Sequence, residues 1–336
     1  MATKRIALYQ LVEKIQNLKL TQEEASAYFV VEPNASRPFD FNVYINPEHV
    51  DTTNLELLAR DADLLLSGVT FPKKRLPAKK VTRRIVAEGD SWFRLPHIFP
   101  YPKTCVDFLQ ASGYQIANVG HWGDTLDQML LAGEFWPYID GEADLLLFSG
   151  GGNDILGNGQ LATFLNLFDV DHTKPSDASY YVRQEFYDNL RSVVSSLENG
   201  LIVPMTTRHA NKKIIMHGYD YAIPRSGGPW LGSAMQYNGL DPTFHAPLCR
   251  AIVRLMIDAY NTRLGALAAK YNDTFLHLDL RGTIGATEWF DELHGKEAAA
   301  KKIARKLAKM IDAAKATAQQ KAISRLYAVD GSLVTA

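Results

Sequence analysis

Five short apolar runs separated by helical patterns constrain the fold of this chain more than any other feature of its sequence. The runs lie at residues 84–90, 115–120, 144–149, 212–217 and 274–280. Segments with helical spacing of apolar residues lie near 103–112, 124–136, 183–199 and 246–271, and after His294. Buried strands that alternate with helices are typical of a parallel sheet covered by helices on both faces. The sequence therefore predicts an α/β fold with a flavodoxin-like, doubly wound, five-stranded parallel sheet, and leaves the order of the strands open.

Residues 1–75 do not follow this alternation and predict a small helical N-terminal appendage. Apolar residues recur at helical spacing within 4–17, Thr21 opens a capping box for a second helix, and residues 53–67 predict a third. Two interpretations of the appendage stay open. It is either a module that binds a protein partner or forms a dimer, or a helical cover packed on the rest of the chain. We expect four segments: the appendage (1–75), a Pro- and Lys-rich linker (76–82), the main domain (83–320) and a C-terminal tail (321–336).

Charge and composition narrow the classes of function. The formal net charge of −1 gives no electrostatic reason to expect nucleic acid or an anionic membrane as a partner. No apolar run approaches the roughly 20 residues that a transmembrane helix needs. The first residues are amphipathic rather than signal-like, and two cysteines, Cys105 and Cys249, are too few for a disulfide framework. We therefore expect a cytoplasmic protein, with secretion by a route that needs no signal peptide left open.

Four polar blocks follow predicted strands or lie near the last one. They read Gly-Asp-Ser-Trp at 89–92, Asn-Val-Gly-His-Trp-Gly-Asp-Thr at 118–125, Gly-Gly-Gly-Asn-Asp at 150–154 and Asp-Glu-Leu-His at 291–294. Open α/β sheets bind ligands at the carboxyl ends of their strands, so we expect these blocks to meet at one crevice. A serine hydroxyl is a poor nucleophile unless a base activates it and nearby donors stabilise the oxyanion. The blocks contain a serine together with the residue types that this chemistry requires.

The four blocks resemble those of the SGNH, or GDSL-type, serine hydrolases, a family named for a Ser, a Gly, an Asn and a His in four separated blocks. The resemblance covers most of residues 83–315, and the blocks occur in the family's order. It implies the SGNH hydrolase fold and hydrolysis of carboxylic esters through an acyl-enzyme, with no metal and no organic cofactor. Two positions depart from the family pattern: Trp92, where the family often has Leu, and Gly295, where Pro is common.

The chemistry and the resemblance together assign a role to five residues. Ser91 would be the nucleophile, and His294 would accept its proton and later return one to the leaving group. Asp291 would hold the other ring nitrogen of His294 and stabilise the imidazolium. By resemblance, the oxyanion hole would consist of the backbone N–H of Ser91, the backbone N–H of Gly123 and the side-chain amide of Asn153.

Residues near these five receive structural interpretations. Gly120 competes with Gly123 for the oxyanion role, but the family pattern of a Gly directly before Asp-Thr favours Gly123 and leaves Gly120 for the turn. Asp90 and Asp154 are expected to bind loop backbone. No spacing typical of metal ligands involves the histidines, which we expect to be packed or on the surface: His217, His245 and His277.

Two long loops and several aromatic residues are the candidates for substrate specificity. The loops at 155–182 and 219–247 follow strands, so we expect them to wall the crevice as lids or binding loops. Trp92, Trp122 and Trp230 are candidate pocket residues for an acyl chain or an aromatic ester. The alternative, that these aromatic residues pack in the core or in the loops, stays open.

Three functions agree with these features. The first is an intracellular esterase or lipase-like hydrolase acting on small-molecule or lipid acyl esters or thioesters. The second is a carbohydrate deacetylase or a phospholipase-type effector that the N-terminal module directs to its target. The third is a catalytically silent binding or regulatory protein that kept the fold. The presence of all five residues of the predicted site argues against the third function.

Overall fold

A computed structural model describes residues 5–16, 20–34, 41–51, 84–96, 101–156 and 159–329. The strands are β1 (Ile6–Ala7), β2 (Phe29–Pro33), β3 (Phe41–Ile45), β4 (Val50–Asp51), β5 (Arg84–Gly89), β6 (Ile116–Asn118), β7 (Ala143–Ser149), β8 (Lys213–His217) and β9 (Phe275–Leu278). The α-helices are α1 (Leu8–Gln16), α2 (Gln22–Tyr28), α3 (Cys105–Ala111), α4 (Leu126–Ala132), α5 (Trp136–Asp140), α6 (Gly152–Ile155), α7 (Ala178–Tyr181), α8 (Gln184–Leu197), α9 (Val203–Arg208), α10 (Gly232–Tyr237), α11 (Ala246–Lys270) and α12 (Glu297–Val329).

The centre of the fold is a five-stranded sheet in the order β6-β5-β7-β8-β9, in which every neighbouring pair is parallel. Numbered along the chain, these strands have the order 2-1-3-4-5, which is the flavodoxin-like, doubly wound arrangement. The predicted fold class is therefore confirmed. In such a sheet the order in which strands are added reverses between β5 and β7, and the loops that follow both strands open at the same edge.

The strands form where the sequence carries nearly continuous apolar runs. All five residues of β8 are buried, as are six of the seven residues of β7. Such runs suit strands that are covered on both faces. Helix α12 packs against α3, β8 and β9, and helix α11 packs against β9, α7 and α8. All five strands lie within three residues of the predicted limits at each end.

Two helical predictions differ from the structure at particular residues. The predicted helix at 124–136 is divided into α4 and α5, because Gly133 adopts a left-handed conformation (φ 59°) that ends α4. The predicted helix at 183–199 is longer than expected, because α8 continues through a π-helical turn at Glu198–Ile202 into α9. The predicted C-terminal tail begins as helix, since α12 extends to Val329.

The N-terminal appendage is a mixed α/β unit, which corrects the expectation of an all-helical one. Helices α1 and α2 form as predicted, and Thr21 makes the capping box of α2. Strands β2 and β3 then pair antiparallel, with Pro33 opposite Phe41, and β1 pairs in parallel with β4. Alternating burial along β3 is the strand signal that the helical interpretation missed. The predicted third helix at 53–67 and the linker at 76–82 lie outside the described residues.

None of the helices in the described ranges combines the length and the hydropathy that a membrane crossing requires.

Gly89 ends β5, and Gly120, two residues beyond the end of β6, lies close to the backbone of Gly89. A Cβ atom on Gly120 would lie 2.3 Å from the carbonyl oxygen of Gly89 and 2.7 Å from its nitrogen. We expect Gly120→Ala to lower the free energy of unfolding by about 1–3 kcal/mol or more, because backbone atoms cannot give way as a side chain can. Urea denaturation measures this change.

The matched control is Gly265→Ala on α11. A Cβ atom there meets no neighbouring atom within 4 Å outside the backbone of its own helix. This substitution should leave stability unchanged or raise it by up to about 1 kcal/mol, because Ala is the better helix former. Equal effects of the two substitutions would contradict the predicted steric role of Gly120.

Candidate active site

The carboxyl ends of β5, β6 and β7 carry the first three polar blocks, and the loop before α12 carries the fourth. Ser91 Oγ lies 2.7 Å from His294 Nε2, although 203 positions separate the two residues in the chain. His294 Nδ1 lies 2.7 Å from Asp291 Oδ2. The three side chains therefore form one continuous chain of hydrogen bonds in the order that nucleophilic catalysis by serine requires.

Asp291 holds the backbone of the histidine loop as well as the imidazole. Its Oδ1 accepts hydrogen bonds from the N–H groups of Leu293 (2.8 Å) and His294 (2.7 Å). Burial alone would raise the pKa of Asp291, but the electrostatic interaction and the hydrogen bonds with His294 and Leu293 hold that pKa below its usual value. At neutral pH the carboxylate is thus ionised, which is the form that orients a histidine and stabilises an imidazolium.

The three donors assigned to the oxyanion hole follow three strands at the same edge of the sheet: Ser91 and Gly123 lie on loops, and Asn153 lies in α6. Among the hydrogen bonds of the described residues, none uses the N–H of Ser91 or of Gly123. Asn153 is buried, and its Nδ2 donates to the carbonyl oxygen of Asp124 at 2.9 Å. This bond fixes the amide against the loop that carries Gly123 and leaves its second N–H for another acceptor.

The two candidate glycines of the second block have different conformations. Gly123 has a φ of 82°, in the left-handed region that favours glycine. Gly120 has no such φ, and it is confined instead by the backbone of Gly89. The interpretation that Gly120 is needed for a turn is therefore corrected: it is needed for close packing between two strand ends.

Asp90 binds loop backbone, as predicted, whereas Asp154 binds the first N–H group of helix α4 rather than a loop. Asp90 Oδ1 accepts from the N–H of Trp92 at 3.0 Å, and Asp154 Oδ2 accepts from the N–H of Leu126 at 2.9 Å. Burial raises the pKa of both carboxyl groups, that of Asp154 to about 6. Asp90 also accepts hydrogen bonds from the hydroxyl groups of Ser149 and Tyr219, which the sequence did not reveal. These two hydrogen bonds anchor the loop that carries Ser91.

The three histidines that we interpreted as structural are packed or part-buried. Burial lowers the pKa of His217 to about 4, and its ring contacts those of Trp92, Phe93 and Tyr219. His245 stacks on Phe168 with ring centroids 4.2 Å apart. Within the described ranges, no group of three or more His, Cys, Asp or Glu side chains is arranged to hold a metal ion.

The three candidate pocket tryptophans have different surroundings. Trp92 lines a small, partly open cleft beside the Ser91–His294 pair. Trp230 lies outside this cleft and packs edge-to-face on the ring of His294. Trp122 is buried against His121 and is not among the residues that line the cleft. The residues that line the cleft are Ser91, Trp92, Leu95, Lys103, Thr104, Cys105, His294, Gly295, Ala300 and Ile303.

Glu292 is a residue that the sequence analysis missed. It follows Asp291 directly and is 1% exposed. Its carboxylate accepts hydrogen bonds from four backbone N–H groups in one segment of the long loop at 219–247. Its Oε1 accepts from Arg225 and Gly232, both at 2.8 Å, and its Oε2 accepts from Trp230 at 2.8 Å and Leu231 at 3.0 Å. This buried carboxylate ties that loop, and Trp230 with it, to the histidine loop.

Glu88 is a second buried acid near the site that the sequence did not reveal. It lies on β5, and its Oε1 accepts the N–H of Gly89 at 2.9 Å. Burial, with smaller effects from the carboxylates of Glu134 and Asp124, raises the pKa of Glu88 to about 8. At neutral pH, this side chain is therefore mostly an uncharged carboxylic acid.

Comparison with known proteins gives similar solved structures only: no family model matches the chain, and no curated protein matches it. A member of the lipolytic protein G-D-S-L family from Veillonella parvula is 18% identical, with 68% of this chain and 97% of that chain covered and a TM-score of 0.38. An extracellular lipase from Streptomyces rimosus is 15% identical, with 68% and 99% covered and a TM-score of 0.47.

A catalytic mutant of an acetylxylan esterase from Geobacillus stearothermophilus is 18% identical, with 68% of this chain and 93% of that chain covered and a TM-score of 0.39. The Veillonella protein is described by the same Gly-Asp-Ser-Leu family name that the four sequence blocks suggested. Because all three TM-scores lie below 0.5 and all three identities below 25%, we base no inference about this chain on them.

We expect Glu292→Gln to lower the free energy of unfolding by about 3 kcal/mol, because an amide replaces one acceptor oxygen by an NH₂ group. Whichever way the amide turns, two of the four N–H groups would lose their acceptor. Urea denaturation measures the loss, and amide hydrogen exchange of the peptide 225–232 should become faster.

The control for this substitution is Glu297→Gln in the first turn of α12. Glu297 is exposed and forms an ion pair with Lys301 at 3.6 Å. Loss of this surface ion pair should change the free energy of unfolding by less than about 0.5 kcal/mol. If the two substitutions have the same effect on stability and exchange, the assignment of Glu292 as the anchor of the loop is wrong.

The raised pKa of Glu88 predicts a pH-dependent difference in stability. Because its pKa in the folded chain, about 8, is above its usual value of 4.5, the folded chain binds more protons than the unfolded chain between these pH values. This group therefore makes the free energy of unfolding fall as pH rises through that window, by about 1 kcal/mol per pH unit. Glu88→Gln resembles the protonated form and cannot titrate.

We therefore expect the stability of Glu88→Gln relative to wild type to rise from pH 5 to pH 8. Urea denaturation of both proteins at each pH measures the difference. Asp90 and Asp154 also have raised pKa values, but they are present in both proteins and largely cancel in the difference. A difference that stays constant across this range would show that Glu88 is ionised at neutral pH.

Proposed function

We propose that this chain is a serine hydrolase of the SGNH type that cleaves carboxylic esters through an acyl-enzyme on Ser91. The observation that carries this proposal is the unbroken chain of two 2.7 Å contacts from Asp291 through His294 to Ser91. The lowered pKa of Asp291 supports it, because an ionised carboxylate is what a catalytic histidine needs as its partner.

The geometry supports a two-step reaction. In the first step, Ser91 Oγ attacks the acyl carbonyl carbon while His294 Nε2 takes the hydroxyl proton. The carbonyl oxygen becomes an oxyanion, which the N–H groups of Ser91, Gly123 and Asn153 would stabilise. When the intermediate collapses, the ester C–O bond breaks and His294 gives its proton to the departing alcohol oxygen.

In the second step, a water molecule attacks the acyl-enzyme. His294 takes a proton from this water, and the new tetrahedral intermediate uses the same three donors. Its collapse breaks the bond to Ser91 Oγ, which regains a proton from His294, and the carboxylic acid leaves. Asp291 stabilises the imidazolium in both steps and does not itself take up the proton.

The substrates that fit this proposal are acyl esters of small molecules or lipids. The cleft beside Ser91 is walled mainly by apolar side chains, among them Leu95, Cys105 and Ile303. An apolar wall favours the hydrocarbon part of an acyl group over a highly polar substrate. Trp92, the tryptophan that lines this cleft, is our candidate for contact with the acyl group.

The test is hydrolysis of p-nitrophenyl esters from acetate to palmitate by wild type and by Ser91→Ala. Turnover should fall by at least about 10³-fold in the variant, because no other group can form the acyl-enzyme. The best substrate of the series measures the length of the acyl group that the cleft accepts.

Ser179→Ala, at an exposed position on α7, is the control and should retain wild-type turnover. A fluorophosphonate probe followed by peptide mass spectrometry identifies the reactive serine independently of the choice of ester. Activity that survives in Ser91→Ala would overturn the assignment. A wild-type protein that neither cleaves the esters nor reacts with the probe would favour the catalytically silent alternative.

A further inference from the structure

The nucleophile and the base of the proposed site are almost completely covered. Ser91 is 4% exposed and His294 is 3% exposed. Part of this cover comes from the N-terminal unit, because Phe41, the first residue of β3, lies against the ring of His294 with centroids 6.4 Å apart. A residue that precedes the main domain by more than forty positions thus touches the catalytic histidine.

Phe41 belongs to a group of aromatic rings around His294. Its ring meets that of Tyr101 edge-to-face at 4.9 Å and that of Trp230 edge-to-face at 5.8 Å. Trp230 in turn packs edge-to-face on His294 at 6.4 Å. Such aromatic pairs contribute more to stability than the burial of their surface alone. The three rings of Phe41, Tyr101 and Trp230 therefore form a stable wall beside His294.

The β2–β3 hairpin is built to hold Phe41 in this place. Phe41, Val43 and Ile45 are buried on one face of β3, whereas Tyr44 on the opposite face is 42% exposed. Strand β2 supports β3 from one side, because the two strands pair along their whole length, with Pro33 opposite Phe41. The hairpin therefore holds Phe41 from both its buried face and its paired edge.

The place of this wall indicates which part of a substrate it meets. None of its three members lines the cleft that contains Ser91 and Trp92. In ester cleavage the departing alcohol oxygen must come within hydrogen-bond reach of the histidine that protonates it. Side chains packed on the ring of His294 are thus the ones that limit the space for the alcohol.

We propose that Phe41 is a specificity-determining residue of this active site, and that it restricts the alcohol part of the ester to small groups. The proposal rests on the ester hydrolase function proposed above. It also gives the N-terminal unit a role in the chemistry: the hairpin completes the wall of the site on the side of the leaving group. A bulky alcohol would have to displace the Phe41 ring from its contacts with Tyr101 and Trp230.

The test compares ethyl acetate with 2-phenylethyl acetate, which share an acyl group and differ in the bulk of the alcohol. In Phe41→Ala, the ratio of kcat/KM for the bulky ester to that for the small ester should rise by about 10-fold or more, the effect typical of a changed pocket contact. Phe41→Leu keeps an apolar side chain in the hairpin and should give a smaller rise. This variant still tests the proposal if Phe41→Ala fails to fold.

Val43→Ala is the matched control, because Val43 is buried on the same face of β3 and makes no ring contact with His294. It should leave the ratio unchanged. If the ratio stays constant in both Phe41 variants, or rises equally in Val43→Ala, Phe41 does not determine specificity and the inference is overturned.

A second measurement does not depend on ester hydrolysis. Diethyl pyrocarbonate modifies exposed imidazoles, and peptide mass spectrometry can follow its reaction with His294. This reaction should be faster in Phe41→Ala than in wild type or Val43→Ala. Faster modification without any turnover in wild type would indicate that the proposed function is wrong while Phe41 does cover His294. Equal modification rates would show that Phe41 does not shield this ring.

Discussion

The parallel pairing of β5 with β6 and β7 is the interaction on which the rest of the site depends. The ladder between β5 and β7 ends with Gly89 opposite Ser149, and Gly120, just beyond β6, touches the backbone of Gly89. Because neither glycine carries a side chain, the three strand ends approach more closely than any other residue type would allow. The loops that leave these ends therefore emerge side by side. Two of them carry Ser91 and Gly123, and the third leads directly into α6, which carries Asn153.

Buried carboxylates that take no part in the proposed chemistry hold the loop at 219–247 against the segment that carries His294. Burying a charge is costly unless hydrogen bonds compensate for the lost water. Glu292 meets this requirement with four backbone N–H groups, and Asp220 accepts the N–H groups of Tyr221, Gly282 and Ile284 at 2.6–2.7 Å. The long loop at 219–247 is thereby fixed at two places to the segment that carries His294. A preorganised site needs such support, because small displacements of reacting groups reduce the rate strongly.

The catalytic residues alone do not determine which substrate is used. The N-terminal unit is relevant to this choice, because it contributes Phe41 to the surroundings of His294. In the proposed hydrolase, the catalytic residues would act on many esters, so the side chains around them would determine specificity. One wall belongs to the main domain and lines the cleft beside Ser91. The other is shared between the main domain, through Tyr101 and Trp230, and the β2–β3 hairpin, through Phe41.

The sequence by itself determined the fold class, the approximate limits of the five sheet strands and the four polar blocks, since hydrophobic periodicity and residue type are local properties that can be read within a short window. Only the tertiary structure decided the strand order, the role of Glu292 and the contact between Phe41 and His294. Each of these depends on which distant segments meet. The four N–H groups around Glu292, for example, belong to residues 60 to 67 positions away. A buried acid and a buried phenylalanine have no local sequence signal, because their partners are selected by packing across the whole domain.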